Sequence, residues 1–224
     1  MIKRFITISL FGIISLNNIQ AQETFQKELS IGASFGTTLS KVSFAPTKVQ
    51  QKMNLGFMGG VSVRWISEKN LGLLAELNFA QQGWEEKFEK QPEYKYSRTI
   101  NYIELPILTH IYFGNNRFRA FLNLGPKIGY AFGEKTEENL NGASPNTENT
   151  QHEMNIEQRF DWGLCGGPGI ELRTGIGMFI IEGRYYYALG DIFKSRQEDY
   201  FSKSSSQVIS AKVTYMIPLF NKIK

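Results

Sequence analysis

Apolar and polar residues alternate with period two along eight stretches: Leu29–Leu39, Leu55–Ile66, Leu71–Gln82, Thr99–Phe113, Arg117–Phe132, Arg159–Arg173, Gly177–Leu189 and Gln207–Phe220. Successive side chains of a strand point to opposite faces, so this period predicts strands with one apolar and one polar face. In Gly177–Leu189 one parity reads Phe179, Ile181, Gly183, Tyr185 and Tyr187, while the other carries Glu182 and Arg184. In Gln207–Phe220 Ile209, Ala211, Val213, Tyr215, Ile217 and Leu219 alternate with Ser210, Lys212 and Thr214. The apolar parity carries no charge in any of the stretches. Each is about as long as a tilted strand must be to cross a bilayer.

The connections alternate in length. Ser67–Asn70, Gly114–Asn116 and Thr174–Ile176 read as tight turns, and Ser40–Asn54, Gly83–Arg98, Gly133–Gln158 and Gly190–Ser206 as long polar loops. Eight antiparallel strands with short turns on one side and long loops on the other predict an all-β, up-and-down transmembrane barrel. A soluble carrier barrel would place its apolar parity inside. Aromatic residues toward the strand ends, among them Trp65, Tyr130, Phe132, Tyr185, Tyr187 and Tyr215, fit interfacial girdles and favour apolar-out.

The first residues read as an export signal. Lys3 and Arg4 precede an apolar run, Phe5–Leu16, followed by Asn17, Asn18 and Gln20 and the small residue Ala21. The expected organisation is a signal peptide over 1–21 and a barrel domain over 22–224, in the cell outer membrane with its short turns in the periplasm. No later stretch approaches the ~20 apolar residues of a membrane helix. The single cysteine, Cys165, cannot form an intramolecular disulfide. The net charge of +4 includes Lys3 and Arg4 and gives no bulk field for nucleic acid.

Four motifs then resemble a known family. Asn101-Tyr102-Ile103-Glu104-Leu105-Pro106 is similar to the Tyr-x-Glu-x-Pro strand of the PorT-like outer-membrane β-barrel family of Bacteroidetes. Gly125-Pro126 resembles its Gly-Pro strand, and Gly163–Glu171 its glycine-rich strand ending in Gly-x-Glu. Arg184–Ile192 resembles its Arg-Tyr…Gly-Leu motif, with Ala188 where glycine is usual. The resemblance implies an outer-membrane barrel and no particular role, although PorT itself is linked to type IX secretion.

Chemistry adds little. His110 falls on the inward parity toward the periplasmic end and His152 in the longest outer loop, neither in a recognisable catalytic arrangement. The expectation is therefore no enzyme, no cofactor and no metal. The glycines at 163, 166, 167 and 169 lack the Lys-Ser/Thr of a phosphate loop and lie in a strand.

The inward parity is the informative face. It carries Arg64, Arg119, Lys127, Arg184 and Lys212 against Glu76, Glu104, Glu171 and Glu182. An eight-stranded barrel is just wide enough to be filled by its own side chains, and unpaired charges there would be costly. These residues are expected to form an ionic plug rather than a conduction path. If Asn115 and Asn116 make a two-residue loop, Glu104 stands directly opposite Lys127. Arg119 is then expected near Glu171, Arg64 diagonal to Glu76, and Glu182, Arg184 and Lys212 together. The outer loops hold Trp84, Tyr94, Tyr96, Phe193, Tyr200 and Phe201 and read as the recognition surface. The expected partners are outer-membrane lipid, lipopolysaccharide and envelope or secretion proteins, for a protein acting as a monomer. An accessory role in a secretion machine is the alternative, and a lipid-modifying enzyme the more distant one.

Overall fold

A computed structural model describes residues 26–45, 50–88, 93–141, 152, 154–193 and 201–220. The expected signal peptide and Tyr200 lie outside these residues. The strands are β1 (Glu28–Ala45), β2 (Gln51–Lys52), β3 (Asn54–Glu68), β4 (Leu71–Glu86), β5 (Lys95–Gly114), β6 (Phe118–Asn139), β7 (Phe160–Thr174), β8 (Gly177–Ala188) and β9 (Lys203–Phe220). The long ones follow one another around the sheet as β4-β3-β1-β9-β8-β7-β6-β5, and β4 pairs β5 to close the ring. Every pairing is antiparallel, so the eight-stranded barrel read from the alternation is the observed architecture. β2 is a short addition paired to the outer end of β4.

The apolar parity faces outward. Phe35, Leu55, Val61, Leu77, Leu124, Leu164, Ile181 and Val213 are all exposed, while their strand neighbours of opposite parity turn inward. A row of unpaired backbone groups cannot face hydrocarbon, and closure of the ring removes every edge at membrane depth.

Five strands run well beyond the alternating stretches, each at the loop end. β1 continues to Ala45, β4 to Glu86 and β6 to Asn139, while β5 begins at Lys95 and β9 at Lys203. Segments expected as loop are thus partly strand. The apolar-out rule stops where the lipid stops, but backbone pairing does not, so Ser40–Ala45 stays paired with Lys203–Val208. Above β3 the outer edge of β1 is held by a side chain: the Gln51 amide accepts from Val42 N at 3.1 Å and donates to Val42 O at 2.7 Å.

The β5–β6 turn differs from expectation by one step. Asn115 N donates to Phe118 O at 2.9 Å, so Asn116 and Arg117 are the two-residue loop. The Asn115 side chain explains the shift. Its Oδ1 accepts from Arg117 N and Phe118 N, both at 2.8 Å, and closes a local turn. Gly114, at φ 132°, enters that turn in a conformation that favours glycine. Glu104 therefore stands opposite Gly129 and Lys127 opposite Pro106, so the two are diagonal rather than directly opposed.

Candidate functional site

The inward face forms three layers of charge. Six acids (Glu28, Glu76, Glu104, Asp161, Glu171 and Glu182) meet six bases (Arg64, Arg119, Lys127, Arg173, Arg184 and Lys212), nearly all buried. All nine residues read as an ionic network from the sequence point into the lumen, and the structure adds Glu28, Asp161 and Arg173. Glu28 precedes the first alternating stretch, and Arg173 is the last residue of the sixth.

At the periplasmic end Arg64 bonds Glu171 and reaches Glu28 at 3.4 Å. Arg173 bonds Glu28 and meets Glu171 at 2.8 Å. Arg119 stands opposite Glu171 as expected, but its nearest approach is 4.0 Å, and its guanidinium lies 4.4 Å from the Tyr112 ring centroid. In the middle Arg184 grips Glu76 with two bonds of 2.9 and 3.1 Å and meets Glu182 at 2.8 Å. Lys212 bonds Glu76 and stands 3.4 Å from Glu182. Glu182, Arg184 and Lys212 thus form one group, completed by Glu76. Nearer the outside Lys127 and Gln82 both donate to Glu104, Lys127 lies over the Tyr186 ring at 3.4 Å, and Tyr186 donates to Asp161 at 2.8 Å.

The expected Arg64–Glu76 bond is not made. Their placement is diagonal, with Glu76 opposite Ser62 and Arg64 opposite Leu74. Both side chains instead reach across the lumen, Arg64 to β7 and Glu76 to β8 and β9. A carboxylate that can take a bidentate arginine and a lysine is better satisfied than one sharing a single diagonal cation.

His110 is buried among these layers. Asn123 donates to Glu182 at 2.9 Å, which turns its Oδ1 toward His110 Nδ1 at 2.8 Å and places the ring proton on Nδ1. His110 Nε2, Arg64 Nε and Ser62 Oγ have no hydrogen-bond partner among the described residues, and all three residues line a cavity of about 10 Å³, room for about one water molecule.

The outer mouth is closed by an apolar dome. Val42, Phe44, Trp84, Tyr96, Ile100, Ile156, Ile192, Phe193 and Phe201 form one buried cluster drawn from all four outer connections. Phe44 stacks on Phe201 at 4.7 Å and meets Trp84 edge-on at 5.5 Å. The connections are tied together beneath it. Arg98 pairs Glu134 at 2.6 Å and donates to Met154 O, and Gln158 donates to Phe193 O at 3.2 Å. His152 stacks on Tyr96 at 3.6 Å and bonds Glu86 at 2.9 Å, with both side chains almost wholly covered. This corrects the reading of the loop aromatics as a recognition surface. Trp84, Tyr96, Phe193 and Phe201 are each at most 1 % exposed, because a loop that must order itself above the membrane needs its own core. Tyr94 remains half-buried against Phe88. Burial pushes the Tyr96 hydroxyl up to about 12, with the Glu86 and Glu138 carboxylates adding to it against the opposing pull of Arg98.

No group of three or more metal-ligating side chains occurs among the described residues. No helix among them is long and apolar enough to cross a membrane, which has no bearing on a barrel.

Solved structures with similar topology include the attachment invasion locus protein Ail of Yersinia pestis, at 15% identity, covering 85% of this chain and 99% of that one with a TM-score of 0.43. Neisserial surface protein A matches at 14% identity with the same coverage and a TM-score of 0.44. The outer membrane enzyme PagL matches at 11% identity, 85% and 99% coverage, and a TM-score of 0.44. No curated protein matches the chain in sequence. Residues 20–194 match the family described as outer membrane protein beta-barrel domain. The closed ring, its apolar exterior and that match agree, and the chain belongs to the outer membrane protein β-barrel domain family, whose place is the outer membrane.

Proposed function

We propose that this protein is a non-conducting, non-enzymatic outer-membrane barrel that acts by presenting a rigid extracellular platform to a partner protein of the envelope. The observation that carries this reading is the double closure of the barrel, by charge layers in the lumen whose six acids and six bases balance overall and by the aromatic dome above them. An open path for solutes needs a hydrated lumen, whereas the cavity amid these layers has room for about one water. The dome also ties together the described residues of the outer connections, which lowers the ordering cost of binding. The face it presents is charged and polar, with Lys95, Lys135, Glu137 and Glu138 on the paired outer ends of β5 and β6, in place of the aromatics first expected there.

Both histidines support the non-enzymatic reading. His110 is locked in the lumen on the periplasmic side, and His152 is covered by Tyr96 and engaged by Glu86, so neither is open to a lipid or sugar. The resemblance of the Tyr102–Pro106, Gly125-Pro126 and Arg184–Ile192 motifs to the PorT-like family motivates the second reading, an accessory of a secretion machine. Planar-bilayer recording of the purified protein tests closure, and stable single-channel steps would refute it. Affinity purification from native membranes separates the readings. A stoichiometric secretion complex would favour the accessory role, and one surface or envelope partner captured through the outer ends of β5 and β6 the platform.

A further inference from the structure

The outer-leaflet end of β8, β9 and β1 carries a cationic row for which the lumenal architecture has no use. Tyr187, Gln207 and Lys41 stand side by side in register across these strands. They point outward, one step beyond the lipid-facing row of Tyr185, Ile209 and Leu39. Farther out, Lys203 stands opposite Ala45 and donates from Nζ to the Tyr187 hydroxyl at 2.7 Å, its ammonium 5.3 Å from the ring centroid. That bond draws Lys203 back toward Gln207 and Lys41, so two ammonium groups and a phenol flank one patch, with the Asp191 carboxylate, held by Ser204 N, balancing part of the charge on the Lys203 side only. Lys41 makes no ion pair among the described residues.

The corresponding region of β5 and β6 is built differently. Lys95 and Lys135 both pair Glu137, at 3.7 and 2.8 Å, so their charge is internally compensated. Two outward-facing rows below the cationic row, Gly183, Ala211 and Thr37 lie side by side on the lipid face. They sit between the bulkier rows of Tyr185, Ile209 and Leu39 above and Ile181, Val213 and Phe35 below. A Cβ added at Gly183 would meet nothing within 4 Å. The small row is therefore a shallow furrow in the apolar surface, separated from the cationic row by the single row of Tyr185, Ile209 and Leu39.

We infer that this sector is a seat for one phosphorylated glycolipid of the outer leaflet, with its phosphate on Lys41, Lys203 and Tyr187 and an acyl chain along the Gly183–Ala211–Thr37 furrow. The position selects the occupant. The cations lie at headgroup depth on the loop side, above hydrocarbon-facing residues, where a lipid phosphate meets them without either leaving its own layer. Ammonium groups at this depth attract anionic headgroups and lose little hydration in doing so. The furrow adds the apolar contact that a free phosphate ion would lack.

The test uses the full-length mature barrel, delipidated in detergent and incubated with lipid A bearing its phosphates or with dephosphorylated lipid A. Bound lipid is counted by native mass spectrometry. The expected result is one retained phosphorylated lipid per barrel, little retention of the dephosphorylated form, and roughly thirtyfold weaker retention in the K41Q/K203Q variant. A K95Q/K135Q variant on the opposite side should retain lipid as the wild type does. Gly183→Leu should weaken retention without removing its dependence on phosphate. Retention of both lipids alike, equal loss in the two lysine pairs, or phosphate-dependent retention untouched by K41Q/K203Q would each overturn the proposal. Heat-modifiability on gels confirms that every variant is folded, and Lys41→Gln alone, an exposed change, serves if the double variant is not.

Discussion

Replacing Lys127 by methionine should destabilise the barrel by about 3–5 kcal/mol, the usual result of stranding one buried member of an ion pair. The structure sets where in that range the value falls. Glu104 keeps the Gln82 amide as a donor, which pulls the loss toward the low end. It also shares a lumenal row with Asp161, through Gly129, so removal of the ammonium leaves two carboxylates without the cation between them. The contact of Lys127 with the Tyr186 ring adds up to about 2 kcal/mol when desolvated. Changing Glu104 to glutamine in the same chain removes the stranded charge and keeps a hydrogen-bonding partner for Gln82. The double variant should therefore lose only about 1–2 kcal/mol, leaving a coupling energy of about 2 kcal/mol or more. Reversible urea unfolding in lipid vesicles, followed by tryptophan fluorescence, gives all four corners of the cycle, provided the slopes agree. A coupling energy below about 0.5 kcal/mol would mean the pair is not energetically joined, and the ionic-plug account of the lumen would fail with it.

Trp84→Ala should remove about 3–5 kcal/mol of packing from the dome and expose the outer connections to protease on intact cells, while bilayer conductance stays absent because the charge layers remain. Tyr96 supplies a pH dependence. Its hydroxyl ionises near 10 when unfolded and at about 12 in the dome, so the protonated form is favoured by the fold. Stability from this group is complete below pH 10 and lost as pH rises through about 12; protease sensitivity of the outer connections should rise over that window and remain flat in Tyr96→Phe. A Cβ at Gly167 would overlap the Gly183 carbonyl, so Gly167→Ala should cost about 1–3 kcal/mol or more by urea unfolding, whereas Gly175→Ala, with open space around it, should change little.

The strands and their faces were legible because lipid enforces alternation residue by residue. Ile181 and Val213 must face out and Glu182 and Lys212 must face in, whatever the rest of the chain does. The partners of those inward charges were not legible in the same way. Register arithmetic relates neighbouring strands, yet Arg64 of β3 bonds Glu171 of β7, and Glu76 of β4 bonds Arg184 of β8. Even between neighbours, one asparagine oxygen capping two amides moved the β5–β6 loop by a residue and turned an opposed pair into a diagonal one. Above the lipid the alternation lapses, and aromatics such as Phe193 and Phe201 look like exposed loop residues. Only their convergence with Phe44, Trp84 and Ile156 of the other connections shows them to be a core.

The span of the lumenal bonds bears on how this barrel comes to be folded. Arg64 and Glu171 are 107 residues apart, Glu76 and Lys212 136, Glu28 and Arg173 145. No hairpin contains such a pair, so a partly assembled sheet carries its inward charges without their final partners. Those groups must stay hydrated until β1 meets β9 and the ring closes. Drying of the interior and closure of the last seam are then a single late event. A chain lacking β9 would lose Lys212 as well as an edge partner for β1 and β8, and would keep a wet, open trough instead of a smaller barrel. Non-local closure of this kind is slow, and it leaves the apolar exterior exposed for as long as it takes. Delivery to the membrane as an unfolded chain, with insertion and closure coupled, is the assembly route that this pairing pattern favours.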